Sequence, residues 1–318
     1  MPAARTLTKG KPMTTNPSMI ILGPGAMGGL HAALFAEAGL PVTLLDHRPE
    51  RAAEIAARGV RLTFLDGQAR TVAVPCTAEP AALSPAELLI VFTKAYDTAA
   101  ALAWARAVVG PETTVLTLQN GLGNWEIIQQ GISPGRVLAG STSSGATLTG
   151  VGEIRVAALG ETVLGSPTGD RPRAEAVAAL FTRAGLPAPV TEDVDAALWR
   201  KAILNAAVNP LGALTRRRNG QLLEVPALRE LLGRVATEAH AVALALGIGL
   251  SEMDPAAAVE EVCRKTATNQ CSMLQDVQAG RRTEIEQING EIVGRAVAAG
   301  VPTPLNQALI ALVEGLVP

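Results

Sequence analysis

The chain has 318 residues, 48% hydrophobic, 18% charged and 3% aromatic, with a formal net charge of −2. That length predicts two domains, because single cores rarely grow beyond ~250–300 residues. The near-neutral balance and scarce aromatics exclude the basic surface of a nucleic-acid-binding protein, and no run of ~18 apolar residues is there to span a membrane.

The first residues are polar and lack the apolar core of a signal peptide. They are expected to form a disordered leader over 1–18, with Met1, Met13 or Met19 as the start. Cys76, Cys263 and Cys271 form no CxxC pair, which fits buried thiols in a reducing, cytoplasmic compartment. His31, His47 and His240 match no metal spacing, so no metal site is expected.

From residue 19 the pattern becomes regular. Met19–Leu22 is a short apolar run, as a buried parallel strand requires. Gly23, Gly25 and Gly28 follow at GxGxxG spacing within GPGAMG. Helix formers over Met27–Ala38 end at Gly39, and a second strand, PVTLL, comes next. In such a unit the first glycine permits the tight turn, the second lets the backbone approach a pyrophosphate, and the third lets helix and strand pack closely. Amides at the helix N-terminus, those of Ala26 and Met27 among them, then face the phosphates. Asp46 closes the second strand, 23 residues after Gly23. A carboxylate there accepts from a ribose hydroxyl and repels a 2′-phosphate, which favours NAD; Arg48 suits a 2′-phosphate and favours NADP. Local chemistry leaves that choice open.

A helix, PERAAEIAARG, comes next, then VRLTFL and ARTVAVP, joined by DGQ as a hairpin. LLIVFTK (88–94) and TTVLTLQNG (113–121) are further apolar strands, separated by a helical Thr98–Val109. From Val137 to Gly165 turn residues recur every few positions and predict antiparallel strands that close the sheet. Helical patterns then dominate: 193–208, 226–247, 254–278, 283–299 and 304–316. The expected fold class is α/β, with an N-terminal doubly wound Rossmann domain over 19–190 and a C-terminal all-helical domain over 191–318.

Arg outnumbers Lys by 22 to 5, and only Lys94, Lys201 and Lys265 lie beyond the leader. Where Arg is the ordinary surface cation, Lys is expected to be placed for its titratable amine. Lys94 ends a central strand. Lys201 interrupts the apolar run LWRKAILNAAVNP, in which Lys201, Asn205 and Asn209 recur every four residues. They drift by only ~40° per step and line one stripe of ~12 Å. An amine and two amides on one face of an apolar helix point to a polar ligand. Pro210 predicts that this helix ends or bends at Asn209. Further on, Gly280 predicts a helix break, and Thr283 with Glu286 has capping-box spacing. In an unbroken helix Ser272 and Glu284 would stand ~18 Å apart; a bend at 280–283 lets them approach one site.

GPGAMG, TKAYDT, QNGLGN, WRKAILNAAVNPLGAL and CSMLQDVQAGRRTEIEQING occur in the order and spacing of the ketopantoate reductases, and nearly the whole chain from Met19 resembles that family. The resemblance implies a Rossmann domain joined to a helical domain like that of 6-phosphogluconate dehydrogenase. It implies NADPH-dependent reduction of 2-dehydropantoate to (R)-pantoate, a step towards pantothenate and coenzyme A. The partner is then a small 2-oxo acid, with no nucleic acid or membrane, and a homodimer stays open. Matched motif by motif, Lys201 resembles the catalytic lysine and Glu284 the substrate-site glutamate, a candidate catalytic residue that would hold the Lys201 amine or accept a substrate hydroxyl. Asn205, Asn209 and Ser272 resemble the substrate-binding set, and Lys94 and Asn120 the residues that face the cofactor from the strand ends. Two positions depart from the family. Asp46-His47-Arg48 stands where an Arg is frequent, which keeps NADH as an alternative cofactor, and Glu286 stands where Asp is usual. Two other readings remain: a related reductase of another 2-oxo or 3-hydroxy acid, and a non-catalytic dinucleotide sensor. The sensor would have no need of Lys201, Asn205, Ser272 and Glu284 together.

Overall fold

The computed structural model describes residues 13–316. In chain order its first elements are β1 (Met19–Leu22), α1 (Ala26–Glu37), β2 (Val42–Leu45), α2 (Pro49–Arg58), β3 (Val60–Phe64), β4 (Ala69–Val72), β5 (Cys76–Thr77) and β6 (Leu88–Val91). Then come α3 (Thr98–Trp104), β7 (Thr114–Thr117), α4 (Asn124–Gln129), β8 (Val137–Thr142), β9 (Gly145–Gly150), β10 (Glu153–Ala158), β11 (Thr162–Gly165) and α5 (Arg171–Arg183). The rest is helical: α6 (Val194–Thr215), α7 (Asn219–Leu223), α8 (Pro226–Ala245), α9 (Pro255–Lys265), α10 (Ser272–Gln278), a π-turn over Glu286–Gly290, α11 (Glu291–Ala299) and α12 (Pro304–Glu314). Residues up to Gln119 and Asn124–Val194 form one compact unit; Asn120–Gly123 joins the residues from Asp195 onward in a second.

The first unit is built on a sheet in the order β11-β8-β7-β6-β1-β2-β5. All neighbours run parallel except β11, which is antiparallel to β8. Setting the hairpin aside, the parallel strands follow the 3-2-1-4-5-6 order of a doubly wound nucleotide-binding fold, with the switch point between β1 and β6. Every residue of β1, β6 and β7 is buried, because both faces are covered. Ile21, Leu44 and Ile90 join α1 and α5 in one core; Ile20, Leu45 and Val91 pack on the other face with Ala105, Val108 and Ile128.

The expected closure of this sheet by antiparallel strands over 137–165 needs correction. Only β8 and β11 join it, while β9 and β10 leave and pair with the hairpin in a second sheet, β4-β3-β10-β9. The burial pattern gives the reason. β3 and β10 alternate: Val60, Leu62, Ile154 and Val156 are buried while Arg61, Glu153 and Arg155 are exposed. A strand with one wet face belongs in a sheet with one covered face.

The second unit has a single core that runs from Trp199 to Val313 and includes Leu122. Two expected helices differ. The pattern over 254–278 is broken between Lys265 and Ser272, so Ser272 opens α10 instead of lying inside a longer helix. The pattern over 283–299 begins with the π-turn, an extra residue wound into the helix. Gly280 takes φ +61° at the predicted break. Thr283 Oγ1 accepts from Ile285 N at 3.4 Å, one position before the predicted cap contact.

Of the expected leader, residues 1–12 lie outside the described residues. Thr14 Oγ1 donates to Glu87 at 2.6 Å, and Ser18 O accepts from Leu88 N at 3.1 Å. No described helix is long and apolar enough to cross a membrane, and the described residues contain no cluster of metal-ligating side chains.

Candidate functional site

The glycine loop leaves β1 at the switch point. Gly23 takes φ +98°, and a Cβ there would lie 2.9 Å from Thr93 N. A Cβ on Gly28 would lie 2.1 Å from Gly23 O, so close helix packing demands glycine. Gly25 is different. Its φ of −74° suits any residue, and nothing lies within 4 Å of a Cβ placed on it. Neither conformation nor internal packing requires glycine there, which leaves the approach of a ligand as the physical reason. Gly25 caps α1 without a side-chain hydrogen bond, and no acidic side chain sits in the first turn. The free amides beyond it, including those of Ala26 and Met27, suit an anion. The residues present therefore fit a dinucleotide pyrophosphate.

Asp46 lies at the end of β2, 1% exposed. Arg51, one turn into α2, grips the carboxylate with Nε on Oδ2 and with Nη2 on Oδ1 at 2.7 Å. Arg48 N adds a contact to Oδ1 at 3.2 Å, while the side chains of Arg48 and His47 stay exposed. The acid that the sequence offers to a ribose is thus already held by a guanidinium that sequence reading overlooked. The acid–x4–Arg spacing at a helix start was the available clue.

Lys94 caps the short 3-10 turn Ala95–Asp97 after β6 and is half-buried. The neighbouring loop is held by Gln119, whose Nε2 donates to Thr93 O and Thr98 Oγ1, each at 2.9 Å. The next four residues, Asn120–Gly123, belong to the second unit. Leu122 N donates to Gln287 O at 3.0 Å, and a Cβ on Gly121 would lie 2.2 Å from that same oxygen.

Within the second unit the structure gathers the remaining candidates along α6. Pro210 neither ends nor visibly unwinds it, and the helix runs on to Thr215. The expectation that the helix ends at Asn209 is therefore corrected: Lys201, Asn205 and Asn209 occupy successive turns of one continuous helix. Burial pulls the Lys201 amine down from 10.5 to about 8, and the nearby Glu284 carboxylate opposes this more weakly. Glu284 is buried, and Asn120 Nδ2 donates to its Oε2 at 3.5 Å. Asn209 is buried with no hydrogen-bond partner for Nδ2. Cys271 Sγ donates to Asn209 O at 3.5 Å, which sets Ser272, the next residue, beside the lower end of the stripe. Asn205 and Ser272 are partly exposed. Burial pushes the Cys263 and Cys271 thiols up to about 11, which marks them as inert structural groups.

Such an arrangement can serve acid catalysis on a small polar molecule. One amine has been brought towards neutrality, a carboxylate is near enough to oppose that shift, and an amide N–H without a partner lies two turns along. Asn289, which the sequence offers only as one of several polar residues over 269–290 with no role attached, contacts α6 directly: its Nδ2 donates to Ala206 O at 2.9 Å.

The chain matches the family described as "Ketopantoate reductase PanE/ApbA" over residues 19–169 and "Ketopantoate reductase PanE/ApbA C terminal" over residues 193–317. It is 36% identical over 298 residues to a 2-dehydropantoate 2-reductase of Halobacterium salinarum, covering 93% of this chain and 97% of that one. Among solved structures it resembles the 2-dehydropantoate 2-reductase of Geobacter metallireducens, with a TM-score of 0.87 and 27% identity over 93% of this chain and 99% of that one. It also resembles a D-mandelate dehydrogenase with NADH and anilino(oxo)acetate, with a TM-score of 0.88 and 26% identity over 94% and 98%. With both family descriptions matched in order, and together over most of its length, the chain belongs to the ketopantoate reductase family.

Proposed function

We propose that this chain is an oxidoreductase that reduces 2-dehydropantoate to (R)-pantoate with NADPH, and that Lys201 is its proton donor. When bound, the nicotinamide supplies the hydride. The chain must then position the ketone and supply a proton to its oxygen as negative charge develops. The Lys201 amine, at about 8, is protonated at neutral pH yet close enough to neutrality to give its proton up. Glu284 orients the ammonium and favours its charged form. Asn120 steadies Glu284 by its amide. Asn209 and Asn205 donate to the substrate's hydroxyl and carboxylate without adding charge, and Ser272 adds a hydroxyl to the carboxylate. The observation that carries this reading is the pairing, on one helix face, of a lowered amine with the buried, unpartnered Asn209 amide.

The preference for NADPH is supported by the Asp46–Arg51 pair. With its charge engaged, Asp46 no longer repels a 2′-phosphate, while the exposed Arg48 adds positive charge. Lys94 is assigned to the cofactor side by its place after β6. A second reading draws on the likeness to the D-mandelate dehydrogenase structure: the same machinery acting on a 2-oxo acid with a bulkier apolar group and NADH. Steady-state reduction of 2-dehydropantoate and of phenylglyoxylate, each with NADPH and NADH, separates the two. The first reading expects the highest kcat/KM for 2-dehydropantoate with NADPH and loss of most of kcat in Lys201→Ala while NADPH still binds. Full turnover by that variant would remove Lys201 from the mechanism. Cofactor binding with no turnover of any 2-oxo acid would leave a dinucleotide sensor.

A further inference from the structure

The continuity of α6 across Pro210 has to be maintained by something other than its own backbone. Proline has no N–H, so the carbonyl four residues earlier, that of Ala206, loses its helical donor, and the ring crowds that same carbonyl. Ala206 is fully buried, out of reach of water. Asn289 Nδ2 donates to Ala206 O at 2.9 Å. Asn289 is itself fully buried in the π-turn, and its amide also donates to Asn306 Oδ1 at 3.0 Å. Asn306, also fully buried, donates to Glu238 Oε2 at 2.9 Å and to Val235 O at 3.4 Å. Glu238 in turn accepts from the backbone of Leu305 and Asn306 at 3.1 Å, the first turn of α12. A carboxylate on α8 thus fixes α12, α12 fixes Asn289, and Asn289 replaces the donor missing from α6.

We propose that Asn289 is a positioning residue for the substrate stripe: its amide takes the place of the Pro210 N–H and keeps Asn209 in line with Lys201. The residue acts through Asn209 and touches no reacting atom. The same short stretch of chain holds the other end of the stripe, where Glu284 lies close to the Lys201 amine. Two attachments five residues apart therefore set both ends, and the π-turn that carries Asn289 lies between Glu284 and α11. The claim rests on the reading of Asn209 as substrate-binding.

The test compares Asn289→Ala, Pro210→Ala and the double variant in the full chain. The substrate-free readout is amide hydrogen exchange over residues 205–215; the catalytic readout is KM for 2-dehydropantoate against kcat and against KM for NADPH. Asn289→Ala is expected to speed exchange beyond position 206 and to raise KM for the oxo acid about tenfold, the scale of one lost net hydrogen bond. Its kcat and its KM for NADPH should stay within about twofold, because Lys201 lies two turns upstream. Adding Pro210→Ala restores a backbone donor at position 210 and should return exchange and KM to about parental values. Unchanged exchange in Asn289→Ala, or the same deficit with and without Pro210→Ala, overturns the proposal. If Asn289→Ala does not fold, the double variant decides: folding supports the role, and failure to fold overturns it. If the parent chain does not reduce 2-dehydropantoate, the functional reading falls by that result alone, while the exchange readout still decides the positioning role.

Discussion

Lys201→Met should make the protein more stable while removing most of its turnover. Burial lowers the amine from 10.5 to about 8, and Glu284 offsets only part of this. The native state therefore disfavours the ammonium relative to the unfolded chain. For a base lowered in this way, the penalty is fully present below the folded value near 8, is relieved as pH rises from about 8 to 10.5, and is absent above that. In a sealed interior the displacement is worth ~3 kcal/mol. Lys201 keeps part of its surface exposed, so ~1–2 kcal/mol is the expected gain at pH 7, a few degrees in Tm. Turnover should fall by about 10²–10⁴-fold, the usual contribution of a positioned proton donor. Denaturant unfolding at pH 7 and pH 10, with parallel ketone-reduction assays, reads both. The gain should shrink towards zero as pH approaches 10.5, and parental kcat should decline above pH ~8 as the donor loses its proton. Removing the amine also strands Glu284, so Lys201→Met/Glu284→Gln is the companion variant and should gain at least as much. A destabilised double variant, a gain that ignores pH, or retained turnover would each refute the reasoning.

Three other outcomes follow from the first unit. His31 is fully buried among Phe35, Phe92 and Phe181, and burial lowers it from 6.5 to about 4. Its neutral form is the native one, so stability is intact above pH 6.5 and should fall by up to ~3 kcal/mol as pH drops towards 4. His31→Phe should flatten that part of the acid-unfolding curve, and equal slopes in both proteins would discount His31. Gly25→Val should fold normally, because φ is ordinary and the space is open, yet weaken NADPH binding at least about tenfold by calorimetry; Gly28→Val should instead fail to fold, with its Cβ 2.1 Å from Gly23 O. Arg51→Ala should free the Asp46 carboxylate and move the ratio of kcat/KM from NADPH towards NADH by about tenfold; a ratio that does not move would exclude the pair from cofactor choice.

The doubly covered strands announce themselves as unbroken apolar runs such as MIIL and LLIV, and the glycine loop between the first of them and α1 is fixed by backbone geometry that only those residues allow. The second sheet was also written in the sequence. VRLTF and EIRVAA alternate, which is incompatible with a sheet covered on both faces, but which strand partners which depends on contacts ninety residues apart, such as Ile154 with Leu62. Arg51 was hidden for another reason. An arginine at a helix start is ordinary until its distance to a buried acid is known.

The misjudged point, Pro210, shows why local rules fail near a site. Proline inside a helix costs stability because it orphans a carbonyl, and that cost is local and predictable. What the sequence could not show was the donor that offsets it, contributed by Asn289 from 83 positions away along the chain. That donor is presented from another irregularity, the π-turn over Glu286–Gly290. Two departures from regular helix thus meet across one hydrogen bond, and each is tolerable because of the other. They meet beside the Asn209 amide, which the structure leaves buried and unpartnered at 4% exposure. A chain selected only for stability would have neither the proline nor the orphaned amide, nor an amine held ~1–2 kcal/mol above its comfortable state. Their concentration along a few turns of α6 and the stretch facing it is the physical ground for proposing that face as the working one.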